Sequence, residues 1–209
     1  MAQSVPDVPP SAMVDVGFAL HGAALPRDHR RLLADALTRM LPWLAALPGA
    51  GVHRINVSQG GGSQALLSQR SRLTLRVPRV RVAALDALAG AVLDIGGHAL
   101  RLGGVAQVRE LLPHRTLYAH LVAAESDDEL DFMAAVNAEL AAMGVPCRTI
   151  CGRRQLIDGG PRPLPGFSLM LDGLAGADAL RLLETGLGRH RLLGCGLFVP
   201  HRSAAAVGS

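Results

Sequence analysis

The succession of strand-like and helix-like apolar patterns constrains the fold of this 209-residue chain more than any other feature. Residues 13–20 alternate apolar side chains with small or polar ones, as a strand with one buried face does. Residues 26–47 place apolar side chains three and four positions apart, the spacing of a helix with one buried face, and Asp28 is the expected cap. Strands over 52–57 and 70–77, a short helix over 82–88 and a glycine-centred hairpin over 91–102 then give the order β-α-β-β-α-β.

The second half of the chain repeats this order. Its predicted helices cover residues 126–143, with Ser126 as the cap, and residues 177–184. The remaining predicted strands are 105–110, 117–123, 149–151, 155–158, 167–171 and 192–199. The repetition predicts an α+β fold of two tandem ferredoxin-like domains, over residues 12–110 and 116–201.

The charge of the chain favours a polyanionic partner. The net charge is +4, and all 21 basic residues are arginine. Arginine binds phosphate through planar, paired hydrogen bonds, which suits nucleic acid. A GC-rich coding bias accounts for the absence of lysine. The positions at which the arginines cluster are the feature that a nucleic-acid partner would explain.

Composition also indicates a cytoplasmic protein without a membrane segment. No apolar run approaches the roughly 18 residues that a spanning helix needs, and the N-terminus lacks a basic region followed by an apolar segment. The three cysteines, Cys147, Cys151 and Cys195, are an odd number at spacings unlike a disulfide framework. We therefore expect buried thiols, no metal site and no cofactor.

Near the end of the chain, glycines are interleaved with basic side chains ahead of an apolar strand. Glycine permits positive φ and close approach of another backbone, so such a loop can turn its amides toward an anion while arginine supplies charge. A phosphate backbone is the ligand that this pattern favours. The residues concerned are Gly186, Gly188, Arg189, His190, Arg191 and Gly194.

The segment GLGRHRLLGCGLFVP resembles the glycine-rich C-terminal loop of the RAMP superfamily, the RNA-handling proteins of CRISPR systems. Within that superfamily it is most similar to the repeat-processing endoribonucleases of the MYXAN-type branch. The segments VDVGFALHGAALPRDHRRLLADALTRMLP, SRLTLRVP and LDIGGHALRLG extend the resemblance over residues 14–200.

This resemblance implies tandem ferredoxin-like (RRM-like) domains and a metal-independent cut in CRISPR repeat RNA, usually beside a short stem. The 2′-hydroxyl attacks the adjacent phosphate and leaves a 2′,3′-cyclic phosphate and a 5′-hydroxyl, with the mature RNA either released or retained. Other subunits of an effector complex are further expected partners. The alternatives are a non-catalytic RNA-binding subunit of such a complex and a small-molecule-binding regulator.

His29 is the first candidate for the catalytic group. It lies in the first turn of the predicted helix, where the family commonly has its histidine, and the helix N-terminus and neighbouring arginines favour a neutral ring that can act as a base. The alternative is a histidine that packs or caps the helix. His21, at the end of the first strand, is the second candidate and is expected to face the same cleft.

Arginines are the candidates for phosphate contacts, and the alternative for each is a solvated surface charge. Arg70, Arg72 and Arg76 belong to the strand of residues 70–77, where Arg72 and Arg76 alternate with apolar residues and predict a basic face. Aromatic residues make up only 3% of the chain, so we expect recognition of stem shape and phosphates rather than stacked bases. The other candidates are Arg153 and Arg154 near a turn, and Arg27, Arg189 and Arg191, which could also stabilise transition-state charge.

Overall fold

The computed structural model describes residues 10–59 and 62–202. Expectations for the N-terminus before residue 10, and for residues 60–61 and 203–209, lie outside the described residues. The first half contains strands β1 (Met13–His21), β2 (Ala24–Pro26), β3 (Gly51–Val52), β4 (Ser58–Gln59), β5 (Gln64–Leu66), β6 (Arg72–Pro78), β7 (Val92–Ile95), β8 (His98–Leu102) and β9 (Gln107–Glu110), with helix α1 (Arg30–Met40) after β2. The second half contains β10 (Thr116–Ala123), α2 (Glu129–Ala142), β11 (Arg148–Asp158), β12 (Pro163–Asp172), α3 (Gly176–Thr185) and β13 (Phe198–Pro200).

Both halves have the strand arrangement of a ferredoxin-like domain. In the second half the antiparallel sheet has the order β11-β12-β10-β13. In the first half β1 lies between β6 on one side and β8 and β9 on the other, and β3 flanks β6. A small separate sheet joins β2, β5 and β4. The predicted α+β fold class is confirmed.

The predicted alternation produces two large hydrophobic cores within the described ranges. In the first, Val14, Val16 and Phe18 of β1 pack with Leu33 and Leu37 of α1. In the second, Leu117 and Ala119 of β10 pack with Phe132 and Val136 of α2, and with α3. None of the helices in the described ranges is long and apolar enough to cross a membrane.

Helix α1 is shorter than its apolar spacing predicts, because proline limits it. Pro42 has no N–H to donate and its ring obstructs a continuing helix, so the α-helix ends at Met40 and a 3₁₀ turn covers Pro42–Ala46. The predicted cap is also wrong: His29 occupies the N-cap position, and Asp28 accepts a hydrogen bond from the backbone of Asp158 instead.

The cap of helix α2 and the length of the last strand also differ from prediction. Asp128 rather than Ser126 caps α2, because its carboxylate accepts from the backbone N–H groups of Leu130 and Asp131. The predicted strand 192–199 is reduced to β13, since a 3₁₀ turn and two glycines with positive φ, Gly194 and Gly196, interrupt it. The hairpin of β7 and β8, by contrast, is confirmed.

Candidate functional site

A cleft of about 670 Å³ lies between the two halves of the molecule. The first half contributes the start of α1, the segment after β3, and β5; the second half contributes β11. Its lining includes five arginines and a single carboxylate: Arg27, Arg30, Arg54, Arg153 and Arg154 against Asp28. An excess of cations in a concave site attracts a polyanion.

His29 lies in this cleft at the N-cap of α1 and is only 5% exposed. Its Nδ1 is 3.0 Å from the carbonyl oxygen of Pro26. A carbonyl can only accept, so Nδ1 carries the proton of the neutral ring and Nε2 is its basic nitrogen. Burial lowers the pKa of His29 from its ordinary 6.5, and the Arg30 charge adds to this, while the Pro26 carbonyl opposes it. The ring is therefore neutral, as a general base at neutral pH must be.

Two of the lining arginines flank His29 in different ways. Arg30 is partly buried, and its Nη1 donates to the carbonyl oxygen of Leu193 at 2.8 Å. Arg54 is exposed and has no carboxylate partner among the described residues. A small cavity behind the cleft is bounded by His29, Arg30 and Arg54 together.

The hairpin of β11 and β12 reaches across to the start of α1 and holds one wall of the cleft. Arg31 Nε donates to Asp158 Oδ2 at 2.7 Å, and the Asp158 N–H donates to Asp28 Oδ2 at 2.7 Å. Because Asp28 precedes His29 directly, this contact fixes the backbone that presents the imidazole.

The glycine-rich loop follows α3 and packs against α1 and β3. Most of its amides bond within the protein: Leu187 N–H donates to Gly196 O, and Gly196 N–H donates to Leu121 O. The Gly188 N–H donates to both carboxylate oxygens of Glu139, at 3.0 and 3.1 Å. The loop thus uses its positive φ angles to approach other backbone closely, and the described contacts show an internal carboxylate at Gly188 rather than an open anion site.

Comparisons with known proteins agree with this arrangement. The chain matches the family described as Cas6 Crispr over residues 14–203. The chain belongs to the Cas6 family. It is 37% identical over 197 residues to a CRISPR-associated endonuclease Cas6 of Myxococcus xanthus (strain DK1622). The matched region covers 94% of this chain and 85% of the relative. The resemblance stated from the sequence is confirmed.

Solved structures show the same fold at low sequence identity. A CRISPR associated protein Cas6 superposes with a TM-score of 0.65 and 9% identity, covering 91% of this chain and 100% of the other. A RAMP protein described as binding different RNA substrates superposes with a TM-score of 0.60 and 13% identity, covering 90% and 100%. The fold is therefore conserved well beyond recognisable sequence.

In this Cas6 chain the cleft gathers only part of the predicted site. His29, Arg27, Arg153 and Arg154 line it. His21 does not: it is exposed at the end of β1, opposite Arg101 of β8, so the prediction that it faces the same cleft is wrong.

Arg76 also lies in a different environment from the one predicted. It was expected on an exposed basic face, but it is 1% exposed and forms two hydrogen bonds with the carboxylate of Asp15. Its Nη1 also donates to the carbonyl oxygens of Leu183 and Phe198 in the second half. The open face of β6 turns toward the other half here, so Arg76 joins the two halves and cannot reach RNA.

The remaining predicted arginines lie outside the cleft. Arg70 is exposed, and half-buried Arg72 donates to the carbonyl oxygens of Gln69 and Ser71. Arg191 is partly buried and donates to the carbonyl oxygens of Gly188 and Gly196 within the loop. It stabilises the loop's conformation.

Two other predicted residues of the loop bound a separate cavity of about 350 Å³ beside α2. They are the exposed Arg189 and His190, and Gly188 lies with them. Acidic side chains of α2 and its approach, including Glu139 and Asp131, line the same cavity. A mixed lining of this kind attracts a polyanion less than the arginine-rich cleft does.

Sequence reasoning missed Arg54 as a site residue and treated Arg30 only as a neighbour of His29. Arg54 lies in the segment predicted as a strand, and nothing in its local pattern distinguishes it from a surface charge. The distinguishing signal is spatial, because β3 pairs with β6 and brings the following residues beside the start of α1.

Proposed function

We propose that this protein is a metal-independent endoribonuclease that cuts precursor CRISPR RNA within its repeat and leaves a 2′,3′-cyclic phosphate and a 5′-hydroxyl. Membership of the Cas6 family and the relative named as a Cas6 endonuclease support this proposal. The observation that carries it is His29, neutral and with its proton on Nδ1, in a cleft where arginines outnumber carboxylates five to one.

The chemistry follows from these groups. Nε2 of His29 takes the proton of the 2′-hydroxyl, and the 2′-oxygen bonds to phosphorus. The bond from phosphorus to the 5′-oxygen breaks as that oxygen takes up a proton from solvent water. Additional negative charge on the phosphate oxygens in the transition state is stabilised by guanidinium groups already in place. In this proposal the two ferredoxin-like domains, residues 12–110 and 116–201, form opposite walls of the cleft.

RNA binding extends along the walls of the cleft. Arg27 lies beside His29, and Arg153 and Arg154 lie on β11. Arg154 is also paired with Asp127, so a phosphate there competes with a surface ion pair of low strength. Exposed Arg70 and Arg189 are candidates for phosphates farther along the RNA.

The test is an incubation of the protein with the repeat RNA of its own CRISPR array in EDTA, with the ends of the fragments mapped. Cyclic phosphate and 5′-hydroxyl ends in the presence of the chelator are expected. Cleavage only with added metal, or 3′-hydroxyl and 5′-phosphate ends, would refute the mechanism. Tight binding without any cut would favour the non-catalytic RNA-binding subunit.

A further inference from the structure

We infer that Arg54 is the residue whose guanidinium contacts the scissile phosphate beside His29. This inference rests on the proposed function and names a group that the cleavage reaction requires. Loss of charge stabilisation at the phosphate slows such a reaction even when the base is intact.

Arg54 belongs to the first half of the molecule and shares the cleft with β11 of the second half. It follows β3 by two residues, and it bounds both the large cleft and the small cavity that contains His29 and Arg30. No other arginine besides Arg30 lines both spaces in the described part of the chain.

Arg54 and Arg30 form a pair of like charges, and neither has a salt bridge to a carboxylate within the described ranges. Arg30 donates to the carbonyl oxygen of Leu193, and within the described ranges the Arg54 side chain forms no hydrogen bond or ion pair. Their field reaches His120, whose pKa is lowered by burial and then by Arg54 and Arg30. Two neighbouring cations beside a base attract an anion that binds between them.

The glycine-rich loop explains how this pair is positioned. A Cβ on Gly194 would lie 3.0 Å from Arg30 Nη1 and 3.1 Å from the carbonyl oxygen of Val52. The loop backbone therefore packs directly on Arg30 and on the strand that leads to Arg54. The loop contributes to the site by holding these residues rather than by its own amides.

Four other candidate arginines are less suited to this role. Arg191 is occupied by loop carbonyls, Arg189 lies in a different cavity, and Arg154 is paired with Asp127. Arg153 lines the large cleft on β11 but not the small cavity with His29. It is placed to bind a neighbouring phosphate rather than the reacting one.

The test compares single-turnover cleavage at saturating enzyme with the Kd for a repeat RNA carrying a 2′-deoxy substitution at the cut. Arg54→Ala should slow cleavage about 10²- to 10³-fold and weaken binding much less. Arg54→Lys should recover part of the rate through its charge but not its paired hydrogen bonds. Arg153→Ala should weaken binding of the RNA, because Arg153 lines the wall of the cleft on β11.

Arg39→Ala is the matched control, because Arg39 is exposed in the last turn of α1, about 13 Å along the helix axis from Arg30. It removes the same charge and should change neither quantity beyond about twofold. If Arg54→Ala cuts at the rate of the unmodified protein at saturating enzyme, the role assigned to Arg54 is wrong, and the proposed function is unaffected. An unmodified protein that does not cut overturns the proposed function and the assignment together.

Discussion

Arg76→Met should destabilise the protein by about 3–5 kcal/mol, because it removes one partner of a buried ion pair. Arg76 donates to the two carboxylate oxygens of Asp15 at 2.8 and 2.9 Å. It also donates to Leu183 O at 2.8 Å and Phe198 O at 2.9 Å. Methionine replaces much of the aliphatic stem, so the loss chiefly reports these four bonds.

The structure limits how large this effect can be. A buried carbonyl oxygen left without a hydrogen bond costs about 1–3 kcal/mol. The costs for the carbonyls of Leu183 and Phe198 cannot simply be added to the cost of breaking the Arg76–Asp15 pair, because the same local rearrangement would then be counted twice. Asp15 keeps a hydrogen bond with His53 at 3.1 Å, and its side chain is 17% exposed, so water partly compensates. We therefore keep the range of about 3–5 kcal/mol for removing one partner of a single buried ion pair.

Urea denaturation of the unmodified protein, Arg76→Met, Asp15→Asn and the double variant measures this effect. The double variant should lose less than the sum of the single losses, since an amide at position 15 needs no cation. Burial alone would raise the pKa of Asp15, but hydrogen bonds from His53 and Arg76 bring it well below its ordinary value. The stability from Asp15 is therefore complete above its unfolded pKa of about 3.9 and is lost as pH falls below that. A loss under about 1 kcal/mol for Arg76→Met would refute the role of Arg76 in joining the halves.

Three further predictions concern the cleft. Gly194→Ala forces a residue with φ of +78° into a strained conformation against Arg30, so thermal denaturation should show a loss of about 1–3 kcal/mol and cleavage should slow. Because burial lowers the pKa of His29, the cleavage rate should be flat at pH 7 and fall only below pH 6.5; a rate that falls from pH 8 downward would contradict this. Asp158→Asn should lower the free energy of unfolding in urea much less than Arg76→Met does, and the effect should shrink in high salt, because its partner Arg31 is 40% exposed.

The main strands and helices followed from local patterns, but their ends and the small sheet of β2, β4 and β5 did not. The strand predicted over 52–57 is reduced to β3, and the helix predicted over 82–88 is a 3₁₀ helix over Ala83–Leu88. Alternation in β1 and helical spacing in α1 reflect burial of one face, which is a property of a short segment. The exact start and cap of α1 depend on Asp28 bonding to a hairpin 130 residues away. No local signal specifies that contact.

The candidate site shows the same division. His29 could be proposed from its place at the start of a helix and from the family resemblance, and the structure puts it in the cleft with Arg27. Arg76 and Arg54 were misjudged because the relevant fact is which surface faces the other half. A charged residue that alternates with apolar neighbours in a strand has the same pattern whether its face meets solvent or another domain.

The most direct test is the cleavage rate of His29→Ala in EDTA at saturating enzyme, measured beside Kd for the uncleavable repeat RNA. His29→Gln, which keeps a hydrogen bond donor near Pro26, guards against misfolding of the alanine variant, and His98→Ala is a control on the β7–β8 hairpin. The rate should fall about 10²- to 10⁴-fold in both His29 variants with Kd within about threefold. Cleavage at the unmodified rate in either folded variant would contradict the account.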